Sequence, residues 1–169
     1  MIEYEVTDEF QTTIDAYWEM FFGDAYNEAL WKHLAMKREQ LEFRREGEGD
    51  DEVIHRVQKL TPQRDVPAAL RRLVKEAISY EERNIWRKRT NVMEVITIPN
   101  FFADKFKSKG TYELVPIGDA KLKRVWKGSC ECRVPLVGGK VEKHVVDEVT
   151  ASYRATTSFT RKWIAEQLK

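Results

Sequence analysis

Residues 121–136 read KLKRVWKGSCECRVPL, and their alternation decides the fold. Leu122, Trp126, Gly128, Cys130, Cys132, Val134 and Leu136 share one parity. Lys121, Lys123, Val125, Lys127, Ser129, Glu131 and Arg133 share the other. A period of two with one apolar and one charged side is a strand with a core face and a water face. Only Arg124 and Val125 cross the division. Gly138-Gly139 ends the pattern, and neither glycine nor proline occurs from Lys140 to Lys169. The period there becomes helical. Val141, Val145, Val149, Ser152, Thr156, Phe159 and Trp163 form one stripe, flanked by Val146, Tyr153, Thr160 and Ile164, while Lys143, Asp147, Arg154, Ser158 and Arg161 lie opposite. This is a long amphipathic helix resting on something apolar.

Working outward, the segment before residue 121 supplies the rest of a sheet. Ile2, Tyr4 and Val6 alternate with Glu3 and Glu5, a half-buried strand. Thr7 and Asp8 read as the start of a helix running to Phe22, and Gly23-Asp24 separates it from a second helix carrying Tyr26, Leu30, Trp31 and Leu34. From about Gln40 the period is two again, up to a turn at Gly47–Asp50. Strands follow over about 53–60, 80–88, 92–98 and 109–115, with a short helix expected over 68–78 behind Pro62 and Pro67. Strands joined by short turns, with helices grouped at the chain ends, place the chain in the α+β class with an antiparallel sheet.

The chain has 169 residues, the size of one domain. A hydrophobic fraction of 42% suffices for a core. The 29 basic and 28 acidic residues leave +1, which argues against a nucleic-acid partner bound by phosphate neutralisation. No apolar run is long enough to span a bilayer, and the N-terminus lacks the basic-then-apolar pattern of a secretory leader. Cys130 and Cys132, two apart on a strand, are badly placed for a disulfide, so a reducing, cytoplasmic setting is expected.

The middle of the helical stripe is small: Ser152, Thr156 and Thr160 stand where large residues would fill a core, and Gly128, Cys130 and Cys132 on the strand are small too. One reading is a void between sheet and helix, with hydroxyls that orient a ligand. The other is a core filled by aromatic residues, each hydroxyl bonded to the backbone one turn earlier.

Residues 134–142, VPLVGGKVE, running into a terminal helix that ends FTRKWI at 159–164, resemble the closing part of START-like proteins. They are most similar to an uncharacterised bacterial family of that superfamily with a VPLVGGKxE element. The resemblance implies a helix-grip fold over residues 1–169: a curved seven-stranded antiparallel sheet around the C-terminal helix, with two short helices after the first strand. It also implies a hydrophobic ligand, a lipid or another small molecule, held between sheet and helix. The wall residues expected on this basis are Trp86, Tyr112, Trp126, Cys130, Cys132, Val145, Val149, Ser152, Tyr153 and Thr156. No catalytic residue, cofactor or metal is assigned. The function expected is ligand binding with lipid transport; the alternatives are a cyclase- or hydrolase-type enzyme on an aromatic or polyketide-like substrate, and a partner-binding adaptor.

Several residues carry two readings. Glu142 near the helix start either meets a ligand or anchors the helix. His55, alternating with Val53 and Val57, points inward on this pattern. Cys130-x-Cys132 lacks supporting histidines and reads as small core residues. Phe101-Phe102, followed by Lys105, Lys107 and Lys109, suits an anionic membrane surface or caps one end of the sheet. That loop and the 68–78 helix are the expected gates. Glu142, His55 and Glu82 are the ionisable groups an enzyme reading would need inside.

Overall fold

The computed structural model describes residues 1–63, 65, 68 and 77–168. The elements run β1 (Ile2–Phe10), α1 (Ile14–Phe22), α2 (Asp24–His33), β2 (Met36–Glu46), β3 (Val53–Pro62), β4 (Tyr80–Arg87), β5 (Val92–Pro99), β6 (Phe106–Gly118), β7 (Lys121–Cys132) and α3 (Gly138–Gln167). All strand pairs are antiparallel, in the order β1-β7-β6-β5-β4-β3-β2. The seven-stranded sheet with a long C-terminal helix is the expected α+β helix-grip arrangement. The expected 68–78 helix lies, but for its ends, outside the described residues.

The parity read from residues 121–132 holds: Leu122, Arg124, Trp126, Gly128, Cys130 and Cys132 are all buried. The strand stops at Cys132, however. Leu136 adopts φ +68° and is fully exposed, so the inner face does not extend to it, although Val134 still packs against Phe106, Cys130, Cys132 and Val141.

β1 is longer than expected. Thr7 and Asp8 do not start a helix; the strand continues to Phe10, and Thr13 caps α1 by accepting the Ala16 N–H at 3.2 Å. The cause is Asp8. It pairs in register with Arg124 and meets the guanidinium at 2.5 Å, so the carboxylate belongs to the inner face of the sheet. β3 is shifted in phase. Ile54, Arg56, Gln58 and Leu60 point inward, and His55 stands on the outer face, 3.5 Å from Glu46.

The larger core cluster gathers Phe10, Tyr17, Trp18, Phe22, Tyr26, Trp86, Tyr112, Trp126 and Ile164. Inside it Arg124 is 0% exposed. Its Nη2 donates to Asp8 and, at 2.6 Å, to Thr157 Oγ1, while the guanidinium lies 4.9, 5.6 and 5.1 Å from the ring centres of Phe10, Tyr112 and Tyr153. One cation thus ties together β1, β6, β7 and α3. A smaller cluster, Phe106, Cys130, Cys132 and Val141, closes the other end of the helix. There Glu142 Oε1 accepts the Cys132 backbone N–H at 2.8 Å, and Oε2 lies 3.1 Å from the Met1 amino group. Glu142 is therefore a helix anchor.

Both anchors can be tested by substitution. Asp8→Ala strands a buried cation and should lower the unfolding free energy by about 3–5 kcal/mol in urea titrations; Arg124→Met added to it should recover part of the loss. A loss under about 1 kcal/mol would show that the Asp8–Arg124 pair does not hold these four elements together. At Glu142, the Cys132 N–H bond and the amino group hold the carboxyl below its usual range. A depressed carboxylate adds stability above its unfolded pKa and loses it as pH falls through the folded value. The urea midpoints of wild type and Glu142→Gln should therefore differ at pH 6 and converge towards pH 3.

Candidate functional site

α3 is clamped at both ends and stands off between them. Gly138, Val141 and Glu142 are buried at its start, and Thr157, Thr160 and Ile164 near its end. Between these groups, residues 143–156 include no buried residue; only 143, 147, 151 and 154 are fully exposed, and the rest are half-exposed. At 1.5 Å per residue this is about 21 Å of helix, over which Val145 and Val146 pack on the smaller cluster and Tyr153 on the larger, while Val149, Ser152 and Thr156 stay half-exposed. The hydroxyls divide in the same way. Thr157 and Thr160 donate to the carbonyls of Tyr153 and Thr156, one turn earlier, at 2.8 and 2.6 Å. Ser152 and Thr156 make no side-chain hydrogen bond among the described residues.

The ten expected wall residues fall into four places. Trp86 and Tyr112 lie beneath α1: Trp86 packs on Trp18 and Phe22 at 5.5 and 5.9 Å, and the Tyr112 hydroxyl bonds that of Tyr17. Trp126 and Tyr153 stack at 5.3 Å at the edge of the larger cluster. Cys130 and Cys132 belong to the smaller cluster, with Val145 packed against it. Val149, Ser152 and Thr156 belong to neither cluster and border the open stretch. Gly128 does not leave room, because a Cβ there would meet the Tyr4 ring at 2.6 Å and the Trp126 indole at 2.9 Å. Both thiols are free, and burial, followed by the Glu142 charge, pushes Cys130 up to about 12. It is a packed thiol with almost no thiolate at neutral pH.

On β2–β4 the inner face carries a polar array. Arg38 Nε donates to Gln58 Oε1 at 2.8 Å, and Gln58 Nε2 donates to Glu82 Oε1 at 2.9 Å. Asn84 Nδ2 donates to the same Glu82 oxygen at 3.1 Å, and Arg56 Nη2 lies 3.9 Å from it. Arg56 is itself buried under the Phe21 and Phe22 rings, bonded to Asn84 and Asn27. Burial pulls its guanidinium down to about 10, which leaves it charged at neutral pH.

The Glu82 side chain is 21% exposed, and among the described residues nothing bonds its Oε2. The register continues this row through Thr97 and Ser108 to Cys130. Across from the sheet, the Tyr153 phenol makes no hydrogen bond among the described residues. Its pKa is pushed well above the ordinary value, chiefly by burial; Arg124 opposes that shift and the Glu82 charge adds to it.

Of the three ionisable groups considered from sequence, Glu142 anchors the helix, His55 faces outward, and Glu82 alone sits on the inner face. Arg56, Gln58 and Asn84 were missed as inner-face residues. The signal for the first two was their shared parity with Ile54 and Leu60.

Comparison with known proteins agrees with this geometry. Three solved structures share the fold. An aromatase/cyclase, Zhui, from Streptomyces sp. R1128 has a TM-score of 0.67 at 14% identity, covering 99% of this chain and 97% of that one. A START superfamily protein from Mycobacterium smegmatis has 0.61 at 13% identity, covering 95% and 97%. Norcoclaurine synthase from Thalictrum flavum has 0.58 at 16% identity, covering 98% and 87%. No curated protein sequence matches. A family model described as "Protein of unknown function (DUF2505)" matches residues 5–164, nearly the whole chain, and this chain of helix-grip fold therefore belongs to that family.

Proposed function

We propose that the chain, as one START-like domain over residues 1–169, binds a hydrophobic small molecule between the sheet and the middle of α3. The observation that supports this is the open 143–156 stretch, held between two tight clamps and bordered by Val149, Ser152, Thr156 and the Trp126–Tyr153 stack. Each 100 Å² of apolar ligand surface taken from water there contributes about 2.5 kcal/mol towards binding. The structural neighbours, an aromatase/cyclase and a START superfamily protein among them, fit such a role.

Lipid carriage is the finer form of this proposal. The β5–β6 loop with Phe101 and Phe102 and the β7–α3 loop with Leu136 meet at one end of the sheet, where the Arg133 N–H bonds the Lys105 carbonyl at 2.8 Å. Lys105, Arg133 and Lys140 are exposed around them. Apolar side chains near exposed cations suit an anionic lipid surface, and Asp104 in the same β5–β6 loop is exposed as well. Two free, buried thiols fit a cytoplasmic setting, and no nucleic-acid partner is proposed. The enzyme alternative draws on Glu82, the carboxylate that faces inward. Turnover would appear as a changed mass of a bound compound on incubation, and carriage as its recovery unaltered.

Two outcomes are expected. The protein should take up N-phenyl-1-naphthylamine with a rise in its fluorescence, and Ser152→Phe, which fills the open stretch, should weaken uptake by about tenfold while the circular dichroism stays native. Uptake undiminished in that variant would place the probe elsewhere. In co-sedimentation with phosphatidylglycerol vesicles, Leu136→Asp should cut binding by about fivefold; equal binding by variant and wild type would refute a membrane role for this end.

A further inference from the structure

The Glu82 carboxylate is held asymmetrically. Gln58 Nε2, Asn84 Nδ2 and the Arg56 guanidinium all converge on Oε1, at 2.9, 3.1 and 3.9 Å. Oε2 has no partner among the described residues, although the side chain is four-fifths covered. These contacts fix the orientation of the group. Asn84 is locked by Arg56, and Gln58 is locked by Arg38. What remains is an aimed acceptor on the inner face of the sheet. It heads a row of small polar groups, Thr97 and Ser108, that leads towards the start of α3. An unpartnered phenol, Tyr153, stands on the helix side, close enough for the Glu82 charge to disfavour its ionisation.

We propose that Glu82 is the specificity-determining residue of the ligand site and that it selects neutral hydrophobic molecules bearing a hydroxyl group. This rests on the ligand-binding reading above. The charge balance decides between ligand chemistries. Arg124 is matched by Asp8, and Arg56 has Glu82 itself as its nearby carboxylate. An ammonium ligand would add an unmatched cation to an interior whose charges are already paired. A carboxylate ligand would set a second anion against Glu82. A hydroxyl donates to Oε2 and changes no charge, while the Tyr153 hydroxyl is free to meet the ligand oxygen.

The test compares 2-naphthol with 2-methoxynaphthalene, which keeps the rings and the oxygen but has no proton to donate. In calorimetric titrations the wild type should bind 2-naphthol about 10- to 100-fold more tightly, the range for a hydrogen bond to a charged acceptor. In Glu82→Gln the amide oxygen takes the place of Oε1 before the same donors, and the amide NH2 replaces Oε2. The variant should lose the preference for 2-naphthol over 2-methoxynaphthalene. Equal binding of both probes to the wild type overturns the assignment of Glu82 and leaves the ligand site standing. Binding of neither overturns both. The wild-type comparison can overturn the assignment even where the variant fails to fold.

Discussion

A guanidinium with no access to water organises this molecule. Arg124 lies on the inner face of β7, and removing it from solvent carries a large desolvation penalty that has to be met locally. Asp8 supplies the countercharge, Thr157 an acceptor, and Phe10, Tyr112 and Tyr153 their ring faces. These groups come from four separate elements, so meeting the requirement of one side chain fixes their relative positions. It holds β1 as a strand up to Phe10. It also brings the end of α3 down onto the sheet.

The same requirement explains where the sequence was readable. The β7 alternation places Trp126, Cys130 and Cys132 inside without ambiguity, because charged residues take most of the other parity. The terminal helix was equally plain, since 30 residues, free of glycine and proline after the opening Gly138-Gly139, keep one apolar side. The reading failed where a buried position is polar. Asp8 after Thr7 has the composition of a helix start, and only its distant partner, Arg124, makes it a strand residue. In β3, Val53, His55 and Val57 looked like the inner row because Arg56 and Gln58 are polar. Yet those two are buried, and the valines flank the outward His55. Periodicity assigns faces by polarity, so a buried polar network inverts the assignment. Local sequence carries no trace of a partner 116 residues away. The candidate site suffered in the same way: the small residues of α3 were visible, whereas the polar array on the inner face of β2–β4 was not.

A helix held most tightly at its ends, with Val145, Val146 and Tyr153 as the contacts between, leaves its middle less covered than a uniformly packed helix would be. At the C-terminal end Tyr26 bonds Thr160 at 2.7 Å, and Phe159 and Trp163 stack at 6.0 Å. At the N-terminal end Glu142 closes on Cys132. Each clamp combines apolar packing with a hydrogen bond that demands one geometry, so the intervening turns need little contact of their own to stay in register. Their side chains are then free to be chosen for what they meet rather than for filling space, and Val149, Ser152 and Thr156 have the mixed character expected of such positions.

The two buried arginines differ in what their countercharges have left to give. Asp8 Oδ2 is occupied by Arg124 at 2.5 Å, and its role ends with the fold. Glu82 stands farther from Arg56, at 3.9 Å, with amide donors crowded onto the near oxygen and the far one open. A carboxylate needed to balance a structural cation cannot be discarded, and one whose second oxygen is left without a protein donor can accept from another molecule. The device that secures the larger cluster through Arg124 thus leaves, at Arg56, a directed hydrogen-bonding site. Under the proposed selection of a hydroxyl-bearing ligand, fold maintenance and ligand recognition are two demands on one ion pair, on a face that the apolar pattern alone would fill with valine and leucine.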